Sequence, residues 1–126
     1  MWSSKQKAIM QAKIDARRYS RELIRDVFQT TEHFPQQDTE MIRLNMRQHA
    51  LNVSTHLSHG STKGDFEEQN EYFMVVMQEL REVLKYITIA NHLGMANNQQ
   101  KLIVRTAITK VINALDDIVL LQQKED

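Results

Sequence analysis

Between Lys5 and His33 the apolar side chains fall at Ile9, Ala12, Ala16, Tyr19, Leu23 and Val27. Steps of three and four put all six on one face of an α-helix. The pattern breaks at "HFPQQD", where Pro35 fixes its own φ, lacks an N–H and keeps Phe34 out of the helical region. It resumes from about Thr39 to His59 with Ile42, Met46, Ala50, Val53 and Leu57. Gly60 and Gly64 punctuate the next connection. Asp65 is placed to cap a third helix that runs to Leu93 and is lined by Phe73, Met77, Leu80, Leu84 and Ile87. Gly94 sits where a helix ends on a left-handed residue. After "MANN" a fourth helix is predicted over 98–122, facing inward with Val104, Ile108, Val111, Leu115 and Ile118.

Four helices, at about 5–33, 39–59, 65–93 and 98–122, with residues 1–4 as a tail and short connections, predict an all-α, antiparallel up-down four-helix bundle in one domain. No strand pattern competes. Helix four is apolar beyond one stripe, at Ile103, Ala107, Ala114 and Leu121, and helix three adds Tyr72, Met74, Val75, Tyr86 and Ile89. Leu44 and Leu51 lie on a further side of helix two. A bundle of this size needs about one apolar stripe per helix, so the surplus predicts contacts between subunits.

Composition narrows the classes. The 126 residues suit one core. The absence of cysteine excludes a disulfide scaffold, a thiolate nucleophile and a cysteine-based zinc site, and suits a cytoplasmic protein. Neither a signal peptide nor a membrane span is expected. Sixteen basic and sixteen acidic side chains cancel, but unevenly. Residues 1–33 hold seven basic and four acidic groups, whereas residues 64–96 hold two and six. Lys13, Arg17, Arg21 and Arg25 recur every four residues on helix one and, with Arg18 beside them, form a ridge away from Tyr19 and Leu23. Such a ridge can track nucleic-acid phosphates, or it can be a solvated face tied to nearby acids.

Asn45, His49, Asn52, His56 and His59 form a second polar feature, a stripe bordering the core face of helix two. As a ring lumen or subunit boundary it would be hydrogen-bonded to neighbours or water. Alternatives are RNA contact and metal binding through His56 and His59. The Glu-x-x-His pairs of a di-iron bundle are absent, and no metal or other cofactor is expected. Glycine-rich phosphate loops, nucleophile elbows and H-E-x-x-H are missing as well. Asp116 and Asp117 read as a surface patch, and no enzymatic activity is expected.

From "HFPQQD" onward the order of features resembles the bacterial four helix bundle protein family. The likeness rests on Phe34-Pro35 opening helix two, on Arg47, Ala50, Val53, Leu57 and Gly60, then on Tyr72, Met77, Leu80, Glu82, Val83, Ala90 and "HLG" at 92–94. That family is named for proteins encoded in intervening sequences of large-subunit ribosomal RNA genes, and the accessory proteins of diversity-generating retroelements are similar to it. The resemblance implies a bundle assembled into a ring, commonly a pentamer, without catalytic activity. Its retroelement branch implies binding to a reverse transcriptase and to RNA or DNA. The ribosomal branch implies a purely structural homo-oligomer with a protein partner of its own. This chain reads "STHLSHG" where the ribosomal branch usually reads Pro-Ser-Asn-Ile-Ala-Glu-Gly, and it lacks the strong positive charge usual in the retroelement branch.

Overall fold

The computed structural model describes residues 1–38 and 41–124. Four helices, α1 (Ser4–Glu32), α2 (Ile42–Ser61), α3 (Phe66–His92) and α4 (Asn98–Gln123), account for most of them, and no strand occurs among the described residues. Periodicity opens helix two at Thr39, which lies outside the described residues; α2 is seen from Ile42.

Each helix starts on an identifiable cap. Ser3 accepts from the Gln6 backbone N–H and Gln6 reaches back to Ser3, and Asn97 and Gln100 repeat this box on α4. Asp65 accepts from the Glu67 N–H at 3.0 Å. In α2 the cap residue, Met41, stands in the left-handed region at φ 54° with no side-chain bond, and Asp38 takes the Arg43 N–H at 2.7 Å. Gly94, at φ 76°, ends α3 as its position predicts.

Cross-helix bonds fix the directions. Lys13 on the first half of α1 reaches Ser61 at the end of α2, and Arg47 near the start of α2 reaches Phe28 and Thr31 at the end of α1. Gln69 early in α3 pairs with Gln122 late in α4. Neighbouring helices are therefore antiparallel. α1 packs on α2 and α4, and α3 on the same two; α1 and α3 occupy diagonal corners, as do α2 and α4. The four helices thus form an up-down bundle around one core that includes Leu23, Met46, Leu57, Leu80, Val111 and Ile118.

Helix three corrects the expected stripe. Its buried apolar residues are Phe73, Val76, Leu80, Val83, Ile87 and Ala90, while Met77 is half-buried and Leu84 exposed. The cause is asymmetric packing: α3 lies most extensively on α2 and least on α4, so its buried face turns towards α2. Val76 and Val83 share that side with Tyr72, Glu79 and Tyr86, which touch α2.

Gly60, expected to end helix two, instead lies inside it. A Cβ at Gly60 would stand 2.8 Å from the Tyr72 Cβ and 3.1 Å from the Phe73 ring. The glycine is thus a site of close approach between α2 and α3. Gly60→Ala would gain about 1 kcal/mol of helix propensity, but overpacking costs about 1–3 kcal/mol, and contact with a backbone-anchored Cβ puts the cost at the upper end. We expect a net loss of about 1–2 kcal/mol in urea unfolding; an unchanged or raised midpoint would contradict the close packing.

One buried polar pair joins the two weakly packed helices. Gln69 and Gln122 exchange amide bonds at 2.8 and 3.0 Å, with Gln69 fully buried. Both amides are satisfied, so the pair fixes the α3–α4 register without a stranded polar group. No helix among the described residues is long and apolar enough to cross a membrane.

Candidate functional site

The ridge on α1 does not stay on one face. Residues four apart advance by 400°, so each step turns 40° around the helix. Lys13 begins on the side of α2, where its Nζ donates to the Ser61 carbonyl at 3.1 Å. Arg25 ends on the side of α4, bordering a hollow with Leu102, Ile103 and Lys110. Between them Arg17 is half-buried, and Arg18 and Arg21 are exposed. The expected five-member ridge is therefore a four-arginine outer face plus one lysine used as a helix stop.

Lys13 is distinguishable electrostatically. Burial, then the charge of Arg17, lowers its pKa from 10.5. A depressed ammonium pKa means that the unfolded chain holds the proton more tightly, so stability should rise with pH through the folded pKa up to 10.5. Relative to Lys13→Gln, which has no charge there, the parent should gain stability over that alkaline interval. A difference that stays flat in pH-dependent urea melts would contradict the burial.

The arginines hold only light local ties. Arg18 lies 3.5 Å from Asp15, over the Tyr19 ring at 5.0 Å, and donates to the Tyr19 hydroxyl at 3.3 Å, a contact that raises its pKa. Arg25 lies 3.4 Å from Asp26. Arg17 and Arg21 have no ion pair among the described residues. Exposed pairs of this kind are screened by water and hold their side chains only weakly, so Arg18, Arg21 and Arg25 are exposed to solvent and lightly tied.

Sequence pattern alone did not single out Arg43 as a working residue, and it placed Arg47 only within the family likeness. The two arginines add side-chain donors to groups at the C-terminal end of α1 and just beyond it. Arg43 Nε donates to the Thr31 carbonyl at 2.8 Å and a second nitrogen donates to the Phe34 carbonyl. Arg47 donates to Thr31 Oγ1 at 2.8 Å and to the Phe28 carbonyl at 3.2 Å, its guanidinium 4.5 Å from the centre of the Phe28 ring. A signal existed in the sequence. A cation in the first turn of a helix opposes that helix's own dipole, so Arg43 there implies a stronger partner elsewhere.

The polar stripe of α2 lies along its seam with α3. His49 Nδ1 is 2.5 Å from Glu79 Oε2, its ring stacks on Tyr86 at 5.9 Å, and its Nε2 is 4.0 Å from Glu82. Asn52 donates to the same Glu79 oxygen at 3.3 Å. Glu82, held below the usual carboxylate range by its bond to Lys85, completes this polar group. Asn45 bonds back to the Met41 carbonyl, His56 is half-buried, and His59 is exposed with its ring edge against Tyr72. The stripe therefore divides: His49 and Asn52 bond Glu79 of α3, whereas His56 and His59 stand nearer one end, His59 against Tyr72. No group of three or more His, Asp or Glu is placed to hold a metal among the described residues.

An open groove of about 810 Å³ between α1 and α4 is lined in part by Ala8, Ala12 and Ala114. Asp117 borders it and Asp116 does not, as expected for adjacent helical positions about 100° apart. The pair thus points two ways and forms no acid–base couple.

Comparison with known families finds no family model that matches the chain, and comparison with curated proteins finds none that matches significantly.

Proposed function

We propose that this chain is a non-enzymatic, homo-oligomeric adaptor serving a nucleic-acid process in the cytoplasm. Its most specific form is an accessory protein for a reverse transcriptase of the diversity-generating retroelement type, assembled as the pentameric ring that the family resemblance implies. The observation that carries the reading is the outer face of α1. Arg17, Arg18, Arg21 and Arg25 stand on one rigid helix, tied only by weak exposed pairs. Arginine forks bind phosphate oxygens in pairs. A neutral chain that repeats this face around an assembly still builds a strong local field.

A second reading, a purely structural homo-oligomer of the ribosomal intervening-sequence type with a protein partner, is favoured by the way Lys13 leaves the ridge to hold Ser61. Fluorescence anisotropy with labelled RNA and DNA at about 50 mM salt separates the two, because phosphate binding is strongest at low salt. Saturable binding that weakens steeply by about 200 mM supports the adaptor. No binding at the lower concentration favours the structural reading.

A further inference from the structure

The exposed positions of α2 carry no lysine, arginine, aspartate or glutamate. Its outward residues are Met41, Leu44, Gln48, Leu51, Thr55 and Ser58, all exposed, in a chain of which 25% is charged. Their spacing alternates three and four, the repeat with which one helix seats another. Leu44 is 59% and Leu51 40% exposed. The opposite corner shows a similar face. Leu102, Thr106, Thr109, Asn113, Asp116 and Leu120 follow one another at steps of four and three on α4, with Leu102 63% and Leu120 57% exposed and a single charge among the six. The equivalent stripes of the other two corners carry more charge, with Lys7, Arg18, Arg21 and Arg25 on α1 and Glu67, Glu71, Arg81 and Lys85 on α3; on α4 the exposed charges Arg105, Lys110 and Asp117 flank the stripe.

We infer that the outer face of α2 is the seat for α4 of a second copy of this chain; this rests on the reading of a self-assembling adaptor and names the surfaces involved. Two low-charge faces on diagonal corners are both covered by one repeated head-to-tail contact, the type that generates rings or open assemblies. Pairing α2 with α2 would leave the α4 face bare. The two stripes also match in length, about 25 Å each at 1.5 Å per residue.

They match in level as well. Both helices run antiparallel to α1 and α3, and hence parallel to each other. His49 stands beside Glu79 and Tyr86, Asn91 bonds Asn98, and Gln69 bonds Gln122, which puts Met41 and Leu102 near the same end of the bundle. Rotation about an axis along the bundle keeps those levels. Met41 then meets Leu102, the Gln48 amide meets the Thr109 hydroxyl, and the Thr55 hydroxyl reaches the one carboxylate, Asp116.

The chain has no cysteine, so introduced thiols report this contact without background. Gln48→Cys and Thr109→Cys alter exposed polar positions and should fold. After mild oxidation the double variant should run at multiples of 14.8 kDa on a non-reducing gel, and each single variant as a monomer. Leu51→Arg should break the assembly while its circular dichroism stays helical. A disulfide dimer from Gln48→Cys alone, or an unlinked double variant whose parent is oligomeric by light scattering, overturns this pairing and leaves the adaptor standing. A monomeric parent overturns both.

Discussion

Replacing Arg43 and Arg47 together with alanine should lower stability by about 3–5 kcal/mol. A hydrogen bond to a charged group contributes about 1.5–3 kcal/mol. Here four such bonds are lost, and their effect is softened because the Thr31 carbonyl keeps the Phe34 N–H and the Thr31 hydroxyl still donates to the Val27 and Phe28 carbonyls. The pair supplies cationic donors to the end of α1, whose last turn holds no basic residue and whose backbone cap is the His33 N–H on the Thr31 carbonyl. For a chain of this size the change corresponds to a fall of roughly 10–20 °C in Tm. Arg47→Lys keeps the charge but not the fork over Phe28 and should cost less than Arg47→Ala. Thermal unfolding followed by circular dichroism checks both, and a double variant within about 1 kcal/mol of the parent would mean that these contacts are incidental.

The second large effect concerns α1. If Arg17, Arg21 and Arg25 touch phosphates, changing all three to glutamine should weaken RNA or DNA binding about 100-fold at low salt. It should also flatten the salt dependence by roughly 2 to 3 in log–log slope, because each lost contact releases one counterion fewer. The fold should persist, since none of the three lies among the buried residues of α1. Equal affinity and slope in parent and variant would place the binding elsewhere.

Much of the architecture was legible in the sequence. Ala12, Leu23, Met46, Leu57, Val104 and Ile118 are buried where three-and-four spacing put them, because a helix with one apolar stripe has few ways to hide it. Helix three was misread because its spacing allowed two stripes, through Val76 and Val83 or through Met77 and Leu84, and only the neighbour decides. Gly60 looked like a stop signal, yet its role depends on Tyr72 standing opposite.

The candidate sites show the same division. Four arginines of the α1 face could be grouped from helical geometry alone. That Lys13 turns to Ser61 could not, since its partner lies 48 positions away. The polar stripe was visible as a border of the core, but Glu79, which bonds His49 and Asn52, comes from another helix.

The most direct test is size-exclusion chromatography with light scattering, run on the protein alone and with a short RNA at low salt. The protein alone should have a mass several times 14.8 kDa, and adding RNA should raise that mass by whole RNA chains in the same peak. A single species at the monomer mass, eluting apart from the RNA, would contradict the account.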